Sequence, residues 1–258
     1  MAAGGRVTDP TRRFSDRVDT YVRARPGYPA EVVDVLRERA GLGPGSVVAD
    51  VGAGTGIFTR LLAATGARVH AVEPNEAMLA ALIESLGPTS TVRTHRRPAE
   101  ATNLSPASID LITAAQAFHW FDRDAVGAEF RRILRPTGAV AIIWNGRVTT
   151  TPFTVGYEEL LRRWATDLGQ VDHRQIPRED VAAFFGGGPV EVVEVDNHQL
   201  LDRGGLRDRL LSSSYAPPPG HPDHEPMLAD LDRLFDAHAV DGQVRLEYRT
   251  ELHLGRFA

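Results

Sequence analysis

Asp50-Val51-Gly52-Ala53-Gly54-Thr55-Gly56 places one carboxylate and three glycines at alternate positions, directly after the apolar run Val47–Val51. Glycine has no Cβ, so this backbone can turn sharply and close on a ligand. Phe58, Leu61 and Leu62 then repeat at helical spacing. The order is strand, glycine turn, helix, a unit that cradles a nucleotide-like cofactor at a helix N-terminus. The spacing argues against a dinucleotide: the third glycine of G-x-G-x-x-G would fall where Ile57 stands, and the glycine is instead Gly56. Asp50 would repel a pyrophosphate and suits a ligand with a cationic amino group.

Further groups lie downstream. Glu73 closes Arg68–Glu73, about 20 residues beyond the glycine turn, the spacing at which a carboxylate accepts both hydroxyls of an adenosine ribose. The plainer reading is a solvated strand-end acid. Glu100, in Arg97-Pro98-Ala99-Glu100, reads by itself as a helix-start acid favoured by the dipole. His119, in Ala115-Gln116-Ala117-Phe118-His119-Trp120-Phe121, follows a strand end, where ligands of doubly wound sheets bind. As general base it would take a proton from a phenol or an N–H, worth about 10²–10⁴-fold; as a structural residue it would bond neighbouring backbone. Arg25 either grips a carboxylate in bidentate fashion or is one of the chain's many surface arginines.

These groups need a sheet to hold them. The pattern predicts strands at Val47–Val51, Arg68–Glu73, Thr91–His95, Ile109–Ala114 and Ala139–Trp144. Helices alternate with them: one after Gly56, one over Asn75–Leu86 with Asn75 as N-cap, and one from Asp122 or Asp124 to Leu134. Arg135-Pro136-Thr137-Gly138 reads as a turn. Upstream, a helix covers part of Phe14–Ala24, and another follows Pro29 with Val32, Val33, Leu36 and Ala40 on one face. The alternation predicts an α/β, Rossmann-like, doubly wound and mostly parallel sheet. Beyond Asn145, helices at Pro152–Gly169, Arg178–Phe185, Leu206–Ser214 and Met227–Ala239 and strands at Val190–Asp196 and Gln243–Leu254 complete seven strands, with residues 216–226 a stiff proline-rich loop. Residues 1–13 are expected to be disordered; 14–258 form one domain, with 14–30 as N-terminal cap and 146–186 as a helical lid insertion.

Composition bounds the function. A 42% hydrophobic content in 258 residues supports a full core, and a net charge of −5 without arginine clusters interleaved with aromatics argues against nucleic acid. The absence of cysteine excludes disulfides and thiolate metal sites, and the absence of lysine excludes Schiff-base chemistry. Arginine as the sole long basic residue suggests a GC-rich bacterial genome. Without a leader-like apolar segment or a run near 20 apolar residues, the expectation is a cytoplasmic protein with no membrane span.

The run D-x-G-x-G-x-G with Glu73 downstream resembles the class I S-adenosylmethionine-dependent methyltransferases, over nearly the whole chain. Gln116-Ala117-x-His119-Trp120-Phe121 and Tyr21-x-x-x-Arg25-Pro26-x-Tyr28-Pro29 resemble the small-molecule branch that includes trans-aconitate methyltransferase. The resemblance implies a sheet ending in an antiparallel strand, with S-adenosylmethionine as cofactor and S-adenosylhomocysteine as product. It implies cofactor contacts from Tyr21, Arg25, Asp50, Gly52, Ala53, Gly54, Gly56, Glu73, Pro74, Ala99, Glu100, Ala115 and Gln116, with Asn75 or Met78 near the adenine. The acceptor pocket would draw on Tyr28, Phe118, His119, Trp120, Trp144, Asn145, Tyr157, Trp164 and Tyr215. Asn/Asp-Pro-Pro-Tyr, which holds a flipped base, is missing. Trp144-Asn145 stands where a metal-dependent relative would carry carboxylates, so no metal is expected. The expected activity is SN2 methyl transfer to a carboxylate or hydroxyl oxygen of a small-molecule acceptor, a bacterial specialised metabolite, by a monomer or homodimer. The alternatives are N-methylation of a small heterocycle and a catalytically silent cofactor-binding protein.

Overall fold

Successive residues of β1 (Val47–Val51) face opposite sides, as the two-residue period of a strand requires: Val47, Ala49 and Val51 enter one core and Val48 the other. All five are buried, so both faces must be covered. The computed structural model describes residues 24–87, 91–165, 176–213 and 215–258. β1 pairs in parallel with β2 (Arg68–Val72) on one side and β4 (Ile109–Ala115) on the other. β3 (Val92–His95) flanks β2 and β5 (Leu134–Arg147) flanks β4, also in parallel. β7 (Val244–Gly255) runs antiparallel between β5 and β6 (Val190–Leu201). The order β3-β2-β1-β4-β5-β7-β6 is the expected seven-stranded sheet with an antiparallel C-terminal strand. Its switch point lies between β1 and β4, where the glycine turn leaves β1.

Eight helices follow in chain order among the described residues: α1 (Ala30–Ala40), α2 (Ile57–Ala63), α3 (Glu76–Ser85), α4 (Arg123–Ile133), α5 (Pro152–Trp164), α6 (Arg178–Phe184), α7 (Arg203–Leu211) and α8 (His224–His238). Val32, Val33 and Leu36 of α1 and Phe58 and Leu62 of α2 pack on one face of the sheet. Val126, Phe130 and Ile133 of α4 pack on the other, with Val181 and Phe184 of α6. A third cluster joins α5, α7 and α8 to Val244, Leu246 and Tyr248 of β7. Local signals hold: Asn75 caps α3 by accepting from Met78 N at 3.0 Å, and Asp122 caps α4 by accepting from Asp124 N and Ala125 N.

The differences have physical causes. The Arg135–Gly138 turn is a bulge inside a longer β5: Ile109 pairs with Leu134 and Leu111 with Ala139, so the intervening residues loop out and pairing resumes. The strands expected to stop at Asp196 and Trp144 run on to Leu201 and Arg147 because β7 pairs with both over its length. α8 starts at His224, shortening the proline-rich loop. The expected insertion 146–186 is not one unit: Gly146 and Arg147 belong to β5, and α6 sits in the main core. Residues 1–13, nearly all of Phe14–Ala24 and the stretch 166–175 lie outside the described residues. Among the described residues, no helix is long and apolar enough to cross a membrane.

An aromatic cluster ties the turn Phe118–Trp120 to this frame. The Phe118 ring centroid lies 4.9 Å from Phe184 and 6.1 Å from Trp144, both edge-on, and Phe184 reaches Phe130 and Phe257 at 6.1 and 5.4 Å. Phe184→Ala is expected to lower unfolding free energy by about 3–5 kcal/mol in urea titration, since the cavity opens among rigid rings. A loss under about 1 kcal/mol would mean that the ring is not packed as described.

Candidate active site

The glycine turn is anchored to β2: Gly52 N and Ala53 N both donate to Val72 O, at 2.9 and 3.1 Å. Gly52 and Gly54 have φ of 72° and 55°, in the left-handed region. They differ in what surrounds them. A Cβ on Gly52 would lie 2.4 Å from Ala117 Cβ, whereas one on Gly54 would meet nothing within 4 Å. Gly52 is therefore demanded by packing, and Gly54 borders open space. A Cβ on Gly56 would lie 2.8 Å from Leu82 Cγ, so that glycine serves the α2–α3 contact.

The open space is a cleft lined by Gly52 and Gly54, by Glu73, Pro74, Asn75 and Met78, by Pro98, Ala99 and Glu100, and by Gln116, Ala117, Trp120 and Phe121. Its charged lining residues are both acidic. That suits a cationic ligand and opposes a pyrophosphate. Glu73 is 8% exposed and bridges the turn to α3: Oε2 accepts from Gly54 N and Oε1 from Asn75 N, each at 2.9 Å. Burial pushes its pKa up and the Asp50 charge adds to this, while the two backbone donors oppose it. Each oxygen keeps acceptor capacity beyond its one backbone bond. Glu100 Oε1 accepts from Asp122 N at 3.1 Å, which ties the Ala99–Ala101 turn to the start of α4.

Several expected contacts lie elsewhere. Asp50 is 1% exposed and behind the cleft wall, where Thr59 Oγ1 and Thr113 Oγ1 donate to it at 2.6 and 2.7 Å. Burial raises its pKa to about 6 despite these bonds. Ala53 and Ala115 serve the backbone, Ala115 pairing with Ile143. Arg25 is outside the cleft and donates from Nη2 to Ser212 O at 2.9 Å; Tyr21 lies outside the described residues. The residues missed from sequence are Pro98, Ala117 and Phe121, which flank motif positions and carry no polar signal.

Among the described residues, most of the expected acceptor residues are packed away from this cleft. Trp120 alone lines the cleft. Phe118 and Trp144 are core, and Tyr28 packs edge-on against Phe58 at 4.9 Å. Asn145 is buried, with Nδ2 donating to Gly27 O at 3.1 Å and Oδ1 accepting from Thr250 Oγ1 at 2.6 Å. Trp164 Nε1 donates to Asp230 at 2.8 Å, while Tyr157 and Tyr215 are buried between α5, α7 and β7. Gln116 reaches across: its φ is 55°, and its Nε2 donates to Asn145 O at 3.3 Å. A left-handed glutamine is strained backbone, and here it stands at the cleft. His119 is half-buried, and its Nδ1 accepts from Trp144 Nε1 at 3.4 Å. A neutral ring bonded in this way carries its proton on Nε2 and presents a donor there, not a base. Among the described residues, no group of three or more His, Cys, Asp or Glu could hold a metal ion.

Residues 49–142 match the family described as "Methyltransferase domain". An uncharacterized methyltransferase of Mycobacterium tuberculosis is 35% identical over 213 residues, 80% of this chain and 79% of the relative. An uncharacterized methyltransferase-like protein of Schizosaccharomyces pombe is 32% identical over 157 residues, 60% of each chain. The malonyl-[acyl-carrier protein] O-methyltransferase of Methylococcus capsulatus is 36% identical over 109 residues, 41% of this chain and 40% of that one. A solved structure from Anaeromyxobacter dehalogenans, described as a candidate type II methyltransferase, superposes with a TM-score of 0.68 at 26% identity, covering 90% of this chain and 97% of the other. The chain belongs to the class I S-adenosylmethionine-dependent methyltransferases, and S-adenosylmethionine is its cofactor.

The two glycines separate fold from binding. Gly54→Ala is expected to cost about 1 kcal/mol of stability for its left-handed φ yet to abolish calorimetric binding of S-adenosylhomocysteine; Gly52→Ala should cost about 1–3 kcal/mol more through overpacking on Ala117. Equal loss of stability in both would refute the distinction. Asp50 gives a pH test. Its folded pKa of about 6 exceeds the ordinary carboxylate value of 3.8, so its contribution is fully present below the unfolded value and is lost as pH rises through the folded one. Asp50→Asn removes that dependence: between pH 4 and pH 7 its stability relative to the parent should rise by about 2 kcal/mol, at no more than about 1.4 kcal/mol per pH unit. A flat difference in urea midpoints would contradict it.

Proposed function

We propose that the protein holds S-adenosylmethionine in this cleft and directs its methyl group to an oxygen of a small-molecule acceptor, a carboxylate in preference to a hydroxyl. The observation that carries the cofactor placement is the joint lining by the glycine turn, Glu73 and the Ala99–Glu100 turn, with acidic charge alone. The remaining acceptor capacity of Glu73 fits ribose hydroxyls, and Ala99 and Glu100 stand where an adenine edge would meet a backbone amide and a carboxylate. Open space over Gly54 admits ligand against backbone. When bound, the cofactor supplies an electrophilic methyl on a sulfonium. The chain supplies position: the Gly52–Gly54 backbone and Trp120 fix the approach, and alignment of this kind is worth about 7–11 kcal/mol.

The acceptor choice rests on His119. Its acceptor nitrogen is taken up by the Trp144 indole, so a nucleophile that must lose a proton finds no base there. A carboxylate is already ionised at neutral pH and needs none. The O-methyltransferase activity named for the Methylococcus relative agrees with an oxygen acceptor. A bacterial specialised metabolite is supported only by the arginine-rich composition and the branch resemblance, and the fission yeast relative shows that such chains are not confined to bacteria. N-methylation and binding without turnover are the other outcomes of an acceptor screen.

Calorimetry tests the cofactor site: S-adenosylhomocysteine should bind and NADPH should not, with affinity falling about 10- to 100-fold in Glu73→Ala. A folded protein that binds neither adenosyl compound ends this reading. With a carboxylate acceptor, His119→Ala should keep kcat within about tenfold of the parent, where loss of a general base would cost about 10²–10⁴-fold.

A further inference from the structure

Beyond the cleft, on the same edge of the sheet, two guanidinium groups are buried together. Arg147 lies two residues past Asn145 on β5, roughly 7 Å along the strand from the carbonyl that receives Gln116. Its side chain is 12% exposed; Nε donates to Glu158 Oε2 at 3.2 Å and Nη1 to Tyr215 Oη at 3.2 Å. Arg209, on α7, is 3% exposed. Its Nε donates to Tyr248 Oη at 3.0 Å and its Nη1 to Ser213 Oγ at 3.2 Å. Among the described residues no carboxylate lies within ion-pair distance of Arg209, so its bonds go to hydroxyls alone. Glu158 is thus the one acid shown against two interior cations.

A buried charge with only neutral partners is costly, and removal from water is offset only by an opposite charge. A third group sharpens the point. Tyr157 is 1% exposed, and its hydroxyl has no hydrogen-bond partner among the described residues. It sits in the field of both arginines. An orphaned hydroxyl beside a guanidinium with no carboxylate partner among the described residues marks donor capacity that a ligand oxyanion would use. The place is the C-terminal end of β5, on the rim where ligands of such sheets bind and one strand from the cleft.

We infer that Arg147, Arg209 and Tyr157 form a subsite for an oxyanion, the carboxylate or phosphate group of an anionic acceptor. Each guanidinium has five N–H donors and keeps some beyond its two bonds to protein, and the tyrosines wall the site from water. The inference deepens the methyl-transfer reading by naming the acceptor's charge, and rests on that reading for the reaction but not for the binding.

The test is calorimetry of the full chain with benzoate, succinate and phenyl phosphate, and with the uncharged benzamide and succinamide, each with and without S-adenosylhomocysteine. At least one oxyanion should bind, its uncharged counterpart should not, and Arg209→Met should weaken that binding about 10- to 100-fold while leaving S-adenosylhomocysteine affinity within about twofold. Arg147→Gln should act in the same direction, and serves if Arg209→Met does not fold. Binding by the carboxylates assigns the site to an acid, and binding by phenyl phosphate alone to a phosphorylated acceptor; either supports the subsite. Equal affinity for acids and amides, unchanged oxyanion binding in both variants, or no oxyanion binding by a protein that binds S-adenosylhomocysteine overturns it. Failure to bind S-adenosylhomocysteine would instead strike the cofactor reading, and the arm without that ligand would still read the subsite.

Discussion

A single carboxylate, Asp50, holds the floor of the cleft in register. It stands one residue before the end of β1, receives Thr59 from α2 and Thr113 from β4, and so fixes three elements at the point where the chain reverses direction. The glycine turn that follows has almost no side chain with which to hold itself. Its position is set from below by Asp50 and from the side by Glu73, whose two oxygens take Gly54 N and Asn75 N. Two buried acids do what packing cannot, because any side chain large enough to pack at Gly54 would occupy the space the ligand needs. The cost is visible in both groups, whose pKa values are driven upward by burial.

The remaining walls are irregular segments, one tied to α4 by two acids and the other by an aromatic plug. Glu129 of α4 accepts from Thr102 N, Thr102 Oγ1 and Arg132, pinning the chain beyond the Ala99–Ala101 turn. Glu100 ties the same turn to Asp122 N. Phe118 plugs the following turn into the aromatic cluster, leaving Trp120 and Phe121 to face the cleft. Rigid elements thus present variable loops, which is how one sheet serves many acceptors.

The first four strands were legible in the sequence because they are short runs set between helix signals, and because Asn75 and Asp122 are caps with an unambiguous position. The bulge in β5 was not: Pro136 and Gly138 are turn residues wherever they occur, and only the resumed pairing of Leu111 with Ala139 shows that the strand continues. In the site, the glycines, Glu73 and Glu100 follow from spacing. Asp50 carries the right charge but faces hydroxyls, since a strand residue's side is set by alternation and not by motif. Arg147 and Arg209 were invisible because, in a chain whose long basic residues are all arginine, two buried ones look like the rest. Trp144 and Asn145 are buried, a placement the sequence does not show, because aromatic and amide side chains at a strand end look the same whether they line a pocket or close one.

The insertion of β7 between β5 and β6 has a consequence for how the molecule is made. Val140 to Trp144 of β5 must wait for Glu251 to Gly255, the strand latest in sequence, before that edge is paired. On a ribosome emitting about 5–20 residues per second, the interval of about a hundred residues lasts on the order of 5–20 seconds. For that time the nascent chain presents Val140-Ala141-Ile142-Ile143-Trp144, uncharged and free of proline, as an open edge of the kind that pairs with other chains. Yield in the cell should therefore depend on how quickly translation delivers β7 and on chaperones that shield β5 until it arrives.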